Sequence, residues 1–287
     1  MGAERMVAIV PAAGRGVRMG GAGNKLFLPL GDRPILAHTL GLLESCDSVD
    51  DVVVAVGEGE EDRFRREVQE PFGLHKVSGV VRGGSTRQES VARCLDYIGS
   101  AASVAIVHDG ARPLLPAWLL EKAVRLGREL GALVVGLPVR DTLKQVSRGG
   151  PPPAAAAAAG PSGAVPPPGQ APAMIKATVR SSRTTEADES GDDLVRVVAT
   201  LPRDDVWSVQ TPQVFWLDLL QMAYRRAHED GVLLTDDAGL VERLRHPVSL
   251  LPGSEENLKI TTQLDLVLAR AVLEWRARSA RAGGGQG

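Results

Sequence analysis

Short apolar runs alternating with segments of helical periodicity constrain this chain more than any other feature of its sequence. Met6 to Val10, Val52 to Val56, Lys76 to Val81, Val104 to Val107, Ala132 to Leu137 and Val248 to Leu251 are each of strand length. A continuous apolar run that short, ended by turn residues, reads as a strand buried on both faces. Between and after them Pro34 to Cys46, Glu60 to Gln69, Ser85 to Ile98, Pro116 to Leu130, Leu217 to Glu229, Asp236 to Leu244 and Gln263 to Arg278 have helical spacing. Repeated strand and helix imply an α/β fold, Rossmann-like, with a mostly parallel sheet and helices on both of its faces.

The first apolar run feeds the loop Pro11-Ala-Ala-Gly-Arg-Gly-Val-Arg-Met19, which leads to Asn24-Lys25. A loop at the carboxyl end of a parallel strand is where such sheets bind nucleotides. Gly14 and Gly16 let the backbone approach a phosphate, and Arg15, Arg18 and Lys25 add positive charge there. The loop lacks the Gly-Lys-Ser/Thr of a Walker motif, and Met19 stands where a dinucleotide fingerprint needs its third glycine. A triphosphate loop, a dinucleotide loop and a plain strand-to-helix turn all stay open on this segment alone.

Lys plus Arg at 33 against Asp plus Glu at 35 gives a net charge of −2, so no general basic field recommends nucleic acid or an anionic membrane as a partner. The few, dispersed Trp and Tyr residues form no stacking platform for single strands. No N-terminal signal and no membrane-length apolar run are visible, which predicts a cytoplasmic protein. Cys46 and Cys94 read as reduced core thiols, and His38, His75, His228 and His246 have no metal-ligand spacing. His108 reads as a hydrogen-bonded structural histidine. From residue 148 to 193, triple prolines, a six-alanine run and a polar tail leave few large apolar residues to bury. That composition predicts a disordered insertion rather than a folded unit.

Three further blocks combine turn glycines with charged or hydroxyl groups just after expected strands: Gly83-Gly-Ser-Thr-Arg-Gln-Glu-Ser90, His108-Asp-Gly-Ala-Arg-Pro113 and Pro138-Val-Arg-Asp-Thr-Leu-Lys144. They share one sheet edge with the first loop, and their convergence there says more than any one of them. Together with Gln210-Thr-Pro-Gln213, Thr235-Asp-Asp237 and Asn257-x-Lys259, in order along the chain from Met6 to about Leu273, they resemble the 2-C-methyl-D-erythritol 4-phosphate cytidylyltransferases. Only the low-complexity insertion falls outside the likeness.

The resemblance implies a nucleotide-diphospho-sugar transferase-like fold with a projecting β-arm, in one domain over 1–147 and 194–280, the insertion at the arm tip and a flexible tail from 281. It implies cytidylyl transfer from CTP to methylerythritol phosphate with release of pyrophosphate, and a homodimer joined through the arm. Ribitol 5-phosphate is the alternative acceptor. A dinucleotide-dependent oxidoreductase and a non-catalytic nucleotide-binding scaffold are more remote readings. Carried over by motif, Arg18, Lys25 and Lys259 are the catalytic cations. Pro11, Ala12, Ala13, Gly14, Gly16, Gly84, Ser85 and Ser90 hold the nucleotide, with Ser85 standing where some members carry Asp. Asp109, Arg112, Thr142, Arg203, Thr211 and Thr235 meet the acceptor. Asp109, assisted by Glu256, is the expected protein ligand for Mg²⁺ or another divalent cation. Attack by a phosphate monoester dianion needs no covalent enzyme intermediate, so positioning and preorganised positive charge are what such a protein supplies.

Overall fold

Alternate residues of single strands supply two different cores. Strand β1 (Met6–Pro11) sends Ala8 and Val10 to one face of the sheet and Val7 and Ile9 to the other. The same alternation holds in β4 (Asp51–Val56), where Val52, Val54 and Val56 oppose Val53 and Ala55, and in β6 (Val104–Val107). On the first face these residues meet Ile35, Leu36, Leu40 and Leu43 of α1 (Ile35–Ser45) and Leu119, Leu120, Ala123 and Val124 of α4 (Ala117–Leu130). On the second they meet Val91, Cys94, Leu95 and Ile98 of α3 (Arg87–Ile98) and Leu220, Ala223, Tyr224 and Ala227 of α5 (Leu217–Glu229). Each large aliphatic side chain buried this way contributes about 1.5–3 kcal/mol, which explains why β1, β4 and β6 are apolar on both sides.

The computed structural model describes residues 4–14, 23–147 and 195–283. Its contacts divide the chain into two units, Met1–Leu137 with Trp207–Gly287, and Pro138–Val206. The first unit holds a seven-stranded sheet in the order β11-β7-β10-β6-β1-β4-β5, where β5 is Val77–Arg82, β7 Ala132–Pro138, β10 Trp207–Trp216 and β11 Ser249–Pro252. β1 runs parallel to both β4 and β6, β4 to β5, and β7 to β11, while β10 runs antiparallel to β6. From β1 the chain winds outward through β4 and β5 and then returns to lay β6 on the opposite flank of β1. The loops after β1 and β6 therefore meet at the point where the winding reverses, the usual place for a ligand in such sheets.

Most expected elements stand within a residue or two of their predicted bounds, and the departures have physical causes. The charged segment 60–69 is α2 (Glu61–Phe64) continued by a π-helical stretch, Arg65–Gln69, with Phe64 and Val68 buried. α3 starts at Arg87 because Thr86 caps it: its hydroxyl accepts from the Glu89 N–H. β10 has no counterpart among the expected elements, since Pro212 and the polar Gln210 and Gln213 hide its strand character. A small ladder of β2 (Pro29–Leu30) and β3 (Arg33–Pro34) likewise has no counterpart. α6 (Ala238–Arg243) is shorter than its apolar pattern suggested, and α7 (Gln263–Gly283) runs into the stretch read as a tail. Cys46 and Cys94 lie in the separate cores as free thiols, and burial pushes Cys94 up to about 12.

In the second unit β8 (Leu143–Ser147) pairs antiparallel with β9 (Arg196–Leu201), Leu143 opposite Leu201, with a register irregularity after Gln145. Thr142 and Arg203 flank this ladder rather than lie within it. Both are exposed, and the Arg203 guanidinium donates to the Arg140 carbonyl. The expected insertion, like Gly16 and Arg18 of the first loop, lies outside the described residues.

Candidate active site

Three carboxyl-terminal strand ends define a cleft in the first unit. β1 supplies Pro11, Ala13 and Gly14, the turn after β5 supplies Gly84 to Ser90, and the turn after β6 supplies Asp109, Gly110 and Ala111. Lys25 and Lys259 complete the lining of a space of about 200 Å³, which shares Ala13, Gly14, Gly84 and Ser85 with a wider one of about 910 Å³. The wall between them is glycine for a steric reason. A Cβ on Gly83 would fall 2.2 Å from the Ala13 Cβ, and one on Gly84 would fall 2.2 Å from the Glu89 Cβ. A side chain at Gly83 would push the first loop off the turn after β5, and one at Gly84 would collide with Glu89 inside that turn.

Polar side chains, of which Asn24 and Ser90 are buried, hold this backbone in place. Asn24 donates to the Ala12 carbonyl (2.6 Å) and the Glu60 carboxylate (2.8 Å) and accepts from the Leu26 N–H, tying the returning end of the first loop to β1. Ser90 accepts from the Gly84 N–H (3.0 Å) and donates to the Thr86 carbonyl (2.9 Å). Glu89 receives both the N–H and the hydroxyl of Ser85, at 2.6 and 2.8 Å. Lys25 donates to the Ile260 carbonyl at 2.6 Å, which brings the segment after the first loop beside the one carrying Lys259.

At the narrow end Asp109 is buried among cations. One oxygen is 2.9 Å from Arg87, and the other is 2.9 Å from the Lys259 ammonium and 3.6 Å from the Arg112 guanidinium. Burial alone would push this carboxyl up; Arg87, then Lys259 and Arg112, overrule it and hold the group well below the usual carboxylate range. Arg87 reaches on to Asp237 at 2.7 Å. Burial opposes the guanidinium charge, but Asp237 and Asp109 outweigh that and raise its pKa.

The turn itself is set by His108 and Thr211. The Thr211 hydroxyl accepts from the Asp109 N–H at 3.0 Å and lies 3.0 Å from His108 Nδ1, while Nε2 lies 3.2 Å from the Arg112 carbonyl. A carbonyl only accepts, so the proton sits on Nε2, and Nδ1 accepts from the threonine. Burial pushes this imidazole down to about 4, in keeping with the neutral tautomer.

The sequence profile of the 2-C-methyl-D-erythritol 4-phosphate cytidylyltransferase family matches residues 6–157 and 169–275. The chain belongs to that family. It is 36% identical to the 2-C-methyl-D-erythritol 4-phosphate cytidylyltransferase of Pelotomaculum thermopropionicum over 98% of this chain and 100% of the relative. With the Symbiobacterium thermophilum enzyme of the same name it shares 39% over 94% and 93%. The solved structure of the Thermus thermophilus 2-C-methyl-D-erythritol 4-phosphate cytidylyltransferase superposes with a TM-score of 0.62 at 30% identity, covering 93% of this chain and 98% of that one.

Against the roles expected of a cytidylyltransferase, the structure brings together Pro11, Ala13, Gly14, Lys25, Gly84, Ser85, Ser90, Asp109 and Lys259 around one cleft. Ala12 is buried beneath it, its N–H bonded to the Ala55 carbonyl at 2.7 Å. Arg112 and Thr211 are buried braces of the Asp109 turn, and the Arg112 guanidinium also donates to the Asn257 carbonyl at 2.7 Å. Thr235 is exposed, two residues before Asp237. Glu256 is not brought to Asp109: its carboxylate pairs with Arg276 at 2.6 Å.

Arg87, Asp237 and Asn24 do structural work that no local pattern assigns to them, although all three stand inside the motifs that carry the family likeness. Tyr224 gave no signal at all. It sits at a core position of an amphipathic helix, and only the fold shows its hydroxyl 2.5 Å from the Asp237 carboxylate.

Proposed function

We propose that this chain transfers the cytidylyl group of CTP to 2-C-methyl-D-erythritol 4-phosphate, forming 4-diphosphocytidyl-2-C-methyl-D-erythritol and pyrophosphate. The observation that carries the reading is Asp109 buried among Arg87, Arg112 and Lys259 at the charged end of a glycine-walled cleft, in a chain of this family. An acceptor phosphate oxygen attacks the α-phosphorus, a P–O bond forms, the bridging bond to the β-phosphate breaks, and pyrophosphate takes the electron pair. Negative charge gathers on the α-phosphoryl oxygens as this happens. Lys25 and Lys259 supply positive charge held in place before the reaction starts, which is worth more than charge that must reorganise, and Arg18 is the further cation that the family motif assigns. The backbone of Ala13, Gly14 and Gly84 receives the base and sugar, and small residues let it approach closely.

The donor set suits a magnesium ion that takes most of its ligands from phosphate and water. Asp109 is the carboxylate that lines the charged end, its oxygens shared with Arg87, Lys259 and Arg112, and no cluster of three His, Cys, Asp or Glu side chains exists among the described residues. Asp109 would hold the ion, which when bound neutralises and orients the phosphates. Lys259 and Arg87 keep that carboxylate ionised and oriented. Thr142 and Arg203 of the second unit receive the acceptor phosphate, and in a homodimer the pair serves the neighbouring subunit.

Pyrophosphate release tests this reading directly. It is expected only with CTP, Mg²⁺ and methylerythritol phosphate all present. A higher kcat/KM with ribitol 5-phosphate would move the substrate assignment, and no release with either acceptor would remove the reaction.

A further inference from the structure

Behind Asp109 runs a line of charged and hydroxyl groups whose last member, Tyr224, does not line the cleft. The Tyr224 hydroxyl donates to Asp237 Oδ1 at 2.5 Å, Asp237 Oδ2 accepts from Arg87 at 2.7 Å, and Arg87 Nε donates to Asp109 Oδ1 at 2.9 Å. Asp109 Oδ2 then meets Lys259 at 2.9 Å. Asp237 is fully buried and Tyr224 is 7% exposed. Each link uses a different atom of the next residue, so no group in the line can turn without breaking a bond to its neighbour.

From this geometry we propose that Tyr224 is a positioning residue for the transfer reaction, acting on the Lys259 ammonium through Asp237, Arg87 and Asp109. The inference rests on the cytidylyltransferase reading of the cleft. With the phenol in place, Asp237 has one rotamer that satisfies both its oxygens, and that rotamer fixes the guanidinium of Arg87. Arg87 in turn fixes the plane of the Asp109 carboxylate. Without the phenol, Asp237 Oδ1 is a buried charged acceptor with one partner fewer, and it turns to share Arg87 on both oxygens. That rotation draws the guanidinium off Asp109 and lets the carboxylate, with Lys259, drift from the place where transition-state charge develops. Displacements well under an ångström are costly there because the donors must be in position beforehand. The phenol also stays protonated throughout, since burial and then Asp237 push its pKa well above the ordinary tyrosine range.

The test uses the full chain and three variants. Tyr224→Phe keeps the ring in the core and is expected to lower kcat roughly tenfold, the scale of one lost hydrogen bond to a charged group. Calorimetric CTP affinity should stay within about twofold, because Lys25 and the backbone of the first loop are untouched and Lys259 acts on charge that develops only in the transition state. Asp237→Asn should cost at least as much, and the double variant no more than Asp237→Asn alone, since groups acting in series are non-additive. Leu220→Ala, one turn earlier on the same helix and fully buried, is the control for lost stability alone and should keep kcat within about twofold.

A second measurement needs no change at Tyr224. The chain has two tyrosines, so in Tyr97→Phe the ¹³Cζ tyrosine resonance belongs to Tyr224, and it is expected to shift when CTP binds. Wild-type kcat in Tyr224→Phe, additive losses in the double variant, or a resonance unmoved by CTP would each overturn the positioning role. A wild-type protein that releases no pyrophosphate would instead remove the reaction on which it rests.

Discussion

The first unit buries the charges around Asp109, and the second exposes Thr142 and Arg203. Asp109, Asp237 and Arg112 are all below 10% exposed, and each has partners from distant parts of the chain. Thr142 and Arg203 stand in the open at the edge of a two-stranded ladder whose Val146, Val197, Val198 and Leu201 are also exposed. A buried network is set once the fold forms, because each of its charges has been desolvated and must keep its partners. Exposed groups are held by little more than solvent-screened contacts worth about 1 kcal/mol or less. The charged end of the cleft is therefore built in advance, whereas the hairpin residues are held by exposed contacts such as that of Arg203 to the Arg140 carbonyl.

The hardest way to break that contrast is to remove its centre. Asp109→Ala leaves Arg87, Arg112 and Lys259 without their shared counter-charge, and the expected cost is about 3 kcal/mol or more of unfolding free energy together with loss of turnover. Denaturant titration beside pyrophosphate release measures both. A variant as stable as wild type would mean that the network is ornamental. Next in size, Lys25→Ala and Arg18→Ala should each lower kcat about a hundredfold, the usual consequence of losing one preorganised contact to the transition state. Single-turnover kinetics at saturating CTP separates this from weaker binding.

On the exposed side, Thr142→Ala and Arg203→Ala should raise the acceptor KM about tenfold while stability stays within about 0.5 kcal/mol. Equal losses of CTP and acceptor affinity would show that the hairpin shapes the whole site. Smaller still is the effect of replacing residues 149–191 with a short Gly-Ser turn, which should leave activity within a few-fold because lengthening a loop costs little closure entropy. Loss of CTP binding on that replacement would place the segment inside the fold.

Much of this was legible beforehand, for reasons visible in particular residues. Both-face burial writes continuous apolar runs, so β1, β4 and β6 announced themselves, and turn glycines marked the loops that follow β1 and β5. Pro212 disguised β10, whose Thr211 and Gln213 face the Asp109 turn and the N-terminus of α6 rather than solvent. The buried pairings were hidden for a different cause. Arg87 and Asp237 are 150 positions apart, and no local pattern records which distant charge a buried charge will find. Tyr224 carried even less signal, since an aromatic ring at a core position of an amphipathic helix needs no polar explanation.

His108 sharpens the account by pH. Its folded pKa of about 4 lies below the ordinary 6.5, so the unfolded chain takes up a proton first as pH falls. The stability it contributes is fully present above pH 6.5 and is lost progressively down to about 4, at most roughly 3 kcal/mol. Burial lowers His38 as well, so the quantity to read is the difference between wild type and His108→Gln across that window. The variant should show the flatter slope, and identical slopes would put the proton elsewhere.

Cytidylyl transfer to one acceptor by a site preset by its buried charges can be followed in a ³¹P NMR competition in which the wild-type protein, CTP and Mg²⁺ meet equal concentrations of methylerythritol phosphate and ribitol 5-phosphate. The account predicts pyrophosphate together with the diphosphodiester signals of the methylerythritol product, with ribitol 5-phosphate left unconsumed. Ribitol product as the main species, or CTP persisting beside both acceptors, would contradict it.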